Sequence, residues 1–502
     1  MRKVLILGGG GAGLSTAISA KEQGLEVVVV SKEYAIRSQT SMAQGGINAA
    51  LGADDSVDNH IEDTLKSAKN LANAKMVGRM CSMAEDAIEW LESMGMPFSR
   101  TNEGKIAQRK LGGTAYARAA YAQDYSGLKL LHTLYDYARK IGVEFLDEHF
   151  LLDILVEGNI AYGAVVYELK TAKIKELKAD CVVLATGGYS KIYNNHSTNS
   201  SAATADGIAA AKRAGCSLRN MEYVQFHPTA LKSSSILISE AARGAGAKLL
   251  NDKGERFVDE LKPRDEVSLA IYKQIKNGRE VFLDARDLGE SFINSELPQE
   301  RKLAMLYEKT DPVKELVPIK PAAHFTMGGI AVDEELQTSV ANLFAVGECS
   351  EAGVHGGNRL GGNALLEIVV FGKRLGEHCA TASLKKATKS STAFQKNKQT
   401  IEELFKRDCS INFYEKKAQL GDLLYEKCGI VRYEQELHAV LEFIEVTTNE
   451  LCYMGIKDNS KHYNTNLIEF LEFVNSLEVA KVVVLSAIAN KESIGANQRG
   501  DI

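Results

Sequence analysis

No CxxC pair and no ferredoxin-like spacing occurs among the eight cysteines, at 81, 181, 216, 349, 379, 409, 428 and 452. The chain is therefore expected to carry no iron–sulfur centre and no metal site of its own. Thiols scattered singly through a large chain suit a reducing compartment better than a disulfide framework, so a cytoplasmic location is expected. Proline is scarce, seven residues against 42 glycines, a balance that fits many close approaches of backbone to a ligand. No apolar run reaches the ~18 residues that a membrane span requires. The N-terminus runs from Arg2 to Leu7 straight into glycines, without the apolar segment and small-residue cleavage site of a signal peptide. The expectation is a soluble chain, or one peripheral at the inner face of a membrane. A formal net charge of -5 argues against nucleic acid as a partner.

What is present is an ordinary globular composition, 45% hydrophobic and 25% charged over 502 residues, long enough for about two or three domains. Val4 to Leu7 reads as a buried strand, Gly8 to Gly13 as a tight turn, Leu14 to Gln23 as a helix stopped by Gly24, and Val27 to Val30 as the next strand. Buried strands are also expected at Cys181 to Ala185, ending in Thr186-Gly187-Gly188, and at Leu343 to Val346, ending in Gly347-Glu348. All three of the ligand-facing strands finish in small residues at their carboxyl ends, where open α/β sheets bind ligands. An insertion from about Tyr223 to Ala323 reads as a separate lobe. Lys385 to Thr392 reads as a linker, and the remainder turns helical.

Gly8-x-Gly10-x-x-Gly13 follows a strand and opens a helix, the context in which backbone amides approach a pyrophosphate. A generic NAD site places Asp or Glu at the end of the second strand to hold the ribose, but here Val30 is followed by Ser31-Lys32. The block Ser31 to Gly46, SKEYAIRSQTSMAQGG, resembles the flavin-binding stretch of the succinate dehydrogenase and fumarate reductase flavoprotein family, whose A-Q-G-G part L-aspartate oxidases share. The resemblance runs through about Glu377 and more weakly to the end. It implies an α/β fold, with a Rossmann-like FAD-binding domain (1–222 and 324–384), an inserted α+β capping domain (223–323) and a helical C-terminal domain (385–502).

The same resemblance implies FAD, held by Gly8, Gly9, Gly10, Gly11, Ala12 and Gly13, by Ser31 and Lys32, and by Ser38, Gln39 and Thr40. Further cofactor contacts are implied for Gln44, Gly45, Gly46, Ala185, Thr186, Gly187, Asp206, Glu348, Arg359, Asn363, Ala364 and Leu365. In membrane-bound relatives the segment reads R-S-H-T and its histidine carries the flavin covalently. Here Arg37-Ser38-Gln39-Thr40 puts an amide in that place, so FAD is expected to be non-covalent, at a lower potential that favours fumarate reduction.

Four further strings resemble the family's dicarboxylate site. Phe226-His227-Pro228-Thr229 and His324-Phe325-Thr326-Met327-Gly328-Gly329 imply histidines at the two substrate carboxylates. Ser239-Glu240-x-x-Arg243-Gly244 implies a hydroxyl donor at Ser239 and a proton relay through Glu240 and Arg243. Pro263-Arg264-Asp265 implies Arg264 as proton donor, although on its own it reads equally as a surface ion pair with Asp265 or Glu266. His355-Gly356-Gly357-Asn358-Arg359-Leu360-Gly361-Gly362-Asn363-Ala364-Leu365-Leu366 implies a bidentate carboxylate contact at Arg359. Fixed donors and cations offset the desolvation of a small dianion, which fits fumarate and succinate.

L-aspartate oxidase remains an alternative, but its ammonium-pairing carboxylate would fall on Leu111, which cannot offset a buried cation. A non-catalytic flavin electron carrier is the alternative from another class. The C-terminal Lys491 to Asn497 resembles K-E-S-R-G-A-N with Ile494 in place of the arginine. The implied partners, a separate iron–sulfur subunit and a membrane anchor subunit, therefore have an altered docking segment to meet.

Overall fold

The structure is a computed structural model that describes residues 1–387 and 392–501. Four of the residues of the expected linker, 388–391, lie outside the described residues. A five-stranded parallel sheet forms the frame, in the order Leu343–Ala345, Cys181–Leu184, Lys3–Leu7, Glu26–Val30, Glu144–Leu146. Its strands read as continuous apolar runs because both faces are covered, with Val4, Leu5, Ile6, Val182 and Val183 fully buried. The helix after the glycine turn is Gly11–Glu22, beginning three residues before the expected Leu14. The turn proper is therefore only Gly8 to Gly10, and the later glycine lies inside the helix. The strands expected to end at Ala185 and Val346 stop one residue sooner, at Leu184 and Ala345.

One face of the sheet carries helix Asn363–Thr381, which crosses Gly11–Glu22 closely. Gly372 and Gly376, one turn apart, make that approach possible: a Cβ at Gly376 would lie 2.6 Å from the Ala20 nitrogen and from the Thr16 oxygen. An antiparallel sheet of three strands, His149–Glu157, Ile160–Glu168 and Lys173–Lys178, covers part of the frame.

The stretch expected as a separate lobe contains a four-stranded antiparallel sheet, in the order Val224–Leu231, Val317–Thr326, Val281–Asp284, Lys248–Asn251. Its own apolar cluster, including Leu249, Val267, Ile271, Leu283 and Ile319, is distinct from the cluster on the Gly11–Glu22 side of the frame. Strand Val317–Thr326 runs unbroken through the 323/324 position where the lobe was expected to end. That strand therefore ties the second sheet to the frame.

The C-terminal part is helical, with Phe413–Lys427, Glu434–Glu450 and Thr465–Ala489 packed around Leu420, Leu437, Phe473 and Val483. Among the described residues no helix is long and apolar enough to cross a membrane. The last turn folds back on the frame. Ile494 and Ala496 pack beside Tyr223, Phe325 and Met327, and the Ala496 amide donates to the Gly357 carbonyl at 2.8 Å.

Candidate active site

The first frame strand ends at Leu7 and is followed by Gly8, whose φ of +120° is open to glycine and whose Cβ, if it had one, would lie 2.1 Å from the Ala185 oxygen just past the adjoining strand. Gly13 is glycine for a related reason: a Cβ there would lie 2.0 Å from the Gly8 carbonyl. Between them, Gly10 caps the helix with no side-chain hydrogen bond. The helix N-terminus thus opens into a long cavity. Positive helix ends and bare backbone suit a pyrophosphate.

This cavity runs without a break from Gly8 to Ala12, past Ser31, Lys32, Ser38 to Thr40 and Gln44 to Gly46, to His227, Ser239, Glu240, Arg264, His324 and Arg359. Residues 185–187, Asp206, Glu348, Ala364 and Leu365 complete the wall among those expected to hold FAD. Along it, Ser38 Oγ, Gln44 Oε1, Thr186 Oγ1 and Arg359 Nε are buried with no hydrogen-bond partner among the described residues. Buried polar atoms are normally paired, so this set fits a polar ligand of the length of FAD.

Three of these side chains are already engaged. Gln39 Oε1 accepts the Ser200 amide at 2.7 Å. Lys32 Nζ donates to Thr204 Oγ1, Asp206 Oδ2 and Glu472 Oε1 at 2.8, 2.7 and 2.6 Å. Burial opposes its charge, but Asp206 and Glu472 outweigh that and raise its pKa. Lys32 therefore pins the C-terminal helix Thr465–Ala489 to this end of the cavity. Glu348 Oε1 accepts the Thr326 amide at 3.0 Å, and burial pushes its carboxyl up to about 7.

At the other end, Arg264 is buried and not on the surface: its Nε and Nη2 donate to Glu240 Oε2 at 3.0 and 2.5 Å, and its Nη1 to Gln225 Oε1 at 3.1 Å. The alternative of a surface ion pair with its sequence neighbours is overturned, since Asp265 pairs with Lys69 at 3.0 Å. Burial disfavours the Glu240 charge, yet Arg264 and Arg243 more than compensate and hold its pKa below the usual range. Arg243 Nη2 lies 3.7 Å from Glu240 Oε1, behind it and off the cavity wall. Glycine at 112 lets this chain close up, because the Gly112 amide donates to Glu240 Oε1 at 2.8 Å and a Cβ there would lie 2.3 Å from the same atom.

The His227 and His324 rings meet edge to face at 4.9 Å. Burial, with Arg264 next in weight, depresses both imidazole pKa values far below the usual range, so both rings are neutral. The Thr229 amide nitrogen and carbonyl oxygen both lie 3.2 Å from His227 Nδ1, which fixes the ring and leaves Nε2 free of protein partners among the described residues. His324 Nδ1 is 2.7 Å from Thr198 Oγ1. Arg359 stacks on the Phe325 ring at 4.2 Å, and burial, then Arg264, lowers its pKa to about 9.

Arg243, Gly13 and Asn363 are the expected site residues that do not line the cavity. Gly13 serves helix packing, and Asn363 is buried in a network in which its Oδ1 accepts Asn48 Nδ2 at 2.8 Å and lies 3.0 Å from His60 Nε2. Gln225 and Thr198 were not anticipated. Gln225 was findable, since it precedes His227 by two in strand Val224–Leu231 and residues so spaced share a face. Leu111, in the position of the oxidase's carboxylate, is buried with its Cδ1 3.5 Å from where a Gly45 Cβ would stand, an apolar contact against the A-Q-G-G turn.

Comparison with known proteins gives the family and the fold. Residues 3–365 match a family model described as an FAD binding domain, and residues 417–502 one described as fumarate reductase flavoprotein C-term. The fumarate reductase flavoprotein subunit of a Serratia strain is 37% identical, covering 99% of this chain and 88% of its own length. The 8-methylmenaquinol:fumarate reductase flavoprotein subunit of Wolinella succinogenes is also 37% identical, over 99% of this chain and 85% of its own. A solved E. coli quinol fumarate reductase flavoprotein superposes with a TM-score of 0.94 at 34% identity, covering 100% of this chain and 92% of that one.

The close packing at Gly112 is testable. Gly112→Ala should displace the Glu240 carboxylate from Arg264 and lower turnover roughly 100-fold, as misplacements of about 1 Å do, while bound flavin per chain, read from the visible spectrum, stays at the wild-type level. Unchanged turnover would contradict the placement of Glu240.

Proposed function

We propose that this chain, which belongs to the fumarate reductase and succinate dehydrogenase flavoprotein family, works chiefly in the direction of fumarate reduction and that Arg264 is its proton donor. The chain is an FAD-dependent oxidoreductase, a flavoprotein subunit of the fumarate reductase and succinate dehydrogenase type. The observation that carries the finer reading is the one continuous cavity, in whose wall the glycine turn and the Arg264–Glu240 pair both stand.

Reduction of fumarate to succinate takes up two electrons and two protons. FAD, when bound, supplies the electron pair as a hydride at N5. The residues of the chain bind and orient the dianion and deliver the second proton. Neutral His227 and His324, together with the Ser239 hydroxyl, donate hydrogen bonds to the two carboxylates, and Arg359 pairs with one of them. Polarisation of the alkene by these donors lets the carbon distal to the flavin accept a proton from an Arg264 N–H.

Arginine is a weak acid in water, with a pKa above ~12. Here the proton leaves toward a carbon gaining negative charge. Glu240, held in contact with Arg264 Nε and Nη2, is placed to return a proton, and Arg243 is placed to restore Glu240. Gln225 holds Nη1, so the guanidinium has little freedom to turn away.

Two supporting features set the finer assignments. Gln39 in place of a histidine supports FAD bound without a covalent link. The apolar Leu111 disfavours an amino-acid ammonium and so supports a dicarboxylate over L-aspartate. The relatives that are quinol- or menaquinol-linked fumarate reductases support a separate iron–sulfur subunit and a membrane anchor subunit as partners, with this chain peripheral at the inner membrane face.

Acid denaturation should release all FAD into the supernatant, measured by its fluorescence; flavin remaining with the precipitate would contradict the role of Gln39. Arg264→Lys should lower fumarate reduction by a reduced dye about 10³-fold or more, in the upper part of the range for loss of a general acid, while flavin content is retained. His227 and Arg359 replacements should raise KM first, because they meet charge present in both ground and transition states. Near-normal turnover of Arg264→Lys would place the donor elsewhere.

A further inference from the structure

The proton chain leaves one fully buried carboxyl unused. Glu300 lies in the first turn of helix Pro298–Tyr307, and its Oε1 accepts the backbone N–H of Ser239 at 2.9 Å. Its Oε2 is buried with no hydrogen-bond partner among the described residues. Ile238, Ala242, Leu297 and Ala304 surround it with apolar groups.

Ser239 is a junction. Its Oγ accepts the Ala241 amide at 3.1 Å and caps the short helix Glu240–Gly244 that carries Glu240 and Arg243. A shift at Ser239 therefore moves a substrate hydroxyl and the head of the proton chain together. Glu300 itself is fixed from across the molecule. Asp124, just ahead of helix Ser126–Lys140 of the frame, accepts the Gln299 and Glu300 amides at 2.7 and 3.3 Å through Oδ2. Gln123 adds a second tie, donating to the Ser295 carbonyl at 3.1 Å. An acceptor at a helix N-terminus is a strong local anchor, and this one comes from outside the second sheet.

We propose that Glu300, braced by Asp124 across the junction of the two sheets, is a positioning residue that sets where Ser239 meets the substrate carboxylate. The inference rests on Ser239 being a substrate contact.

The charges around Glu300 give the arrangement a signature. Burial, reinforced by Asp124, pushes its carboxyl up to about 8, while the Ser239 amide and Arg109 pull the other way. Tyr125 also faces Glu300 and Asp124, and Arg109 lies 3.7 Å over the Tyr121 ring with Glu296 nearby. The folded pKa is raised, so the uncharged form holds Ser239 below about pH 8. Above that a negative charge appears directly behind the site for a dianion, and the two repel. The KM for fumarate should climb there.

The test measures KM and kcat for fumarate from pH 6 to 9.5 in wild type, Glu300→Leu and Glu300→Gln, each loaded with FAD. Glu300→Leu strands the Ser239 amide and should raise KM roughly tenfold, the scale of an orphaned buried donor, with a smaller change in kcat. Glu300→Gln retains an acceptor, should recover most of that loss, and should lack the step in KM centred near pH 8 in the wild type, leaving only the later rise near pH 9 that loss of the Arg359 proton gives to all three proteins. A wild-type KM in Glu300→Leu, or a step near pH 8 that persists in Glu300→Gln, overturns the inference alone. A wild type with no fumarate turnover overturns it together with the proposed function.

Discussion

Three guanidinium groups, those of Arg243, Arg264 and Arg359, are buried around the carboxylate of Glu240, with Glu260 also facing Arg243 and with Glu348 and Glu367 also facing Arg359. Charges withdrawn from water are stable only when paired. Burial first, and then the positive charge of Arg264, lowers the pKa of Arg359 to about 9 and keeps both histidines neutral. A dianion of small size answers that positive charge. The need for pairing also explains why the wall is built so tightly, since each pairing distance must be short to offset desolvation. Glycine at 112 and 361 follows from this, because a Cβ at either would come within 2.3 or 2.8 Å of a Glu240 oxygen.

No single layer of the fold contains this balance. The parallel sheet contributes the nucleotide cradle and, through the segment before helix Asn363–Thr381, Arg359. The antiparallel sheet contributes His227 and, through the helices beside it, Glu240, Arg243 and Arg264. His324 lies on strand Val317–Thr326, which belongs to both regions. The site lies where the two regions meet, and burial there strengthens every electrostatic contact inside it.

Four of the five frame strands were legible as short apolar runs, but Glu144–Leu146, too short to show a pattern, was not; the motif strings pointed to His227, Glu240, Arg264, His324 and Arg359, which the fold brings to one end of the cavity. The helix start was misjudged by three residues because glycines at 11 and 13 look like turn residues, whereas they serve close packing inside a helix. Thr198, Asp124 and Glu300 had no sequence signal, being joined to their partners by contacts between residues 126, 175 and 61 positions apart. Lys32 was legible as a departure from the acidic ribose residue, but its bond to Glu472 was not, since that partner comes from the C-terminal helix. Ile494 reads in sequence as a lost arginine; in the fold it adds an apolar contact under Phe325 and Tyr223.

The central claim is that the positive charge of the cavity selects an unsaturated dicarboxylate and not an amino acid. It is tested most directly by stopped-flow mixing in the absence of oxygen. Dye-reduced protein is mixed with fumarate and, separately, oxidised protein with L-aspartate, while flavin absorbance is followed. Rapid reoxidation by fumarate with no bleaching by L-aspartate is the predicted result. Bleaching by L-aspartate, with slow or absent reoxidation by fumarate, would contradict the claim.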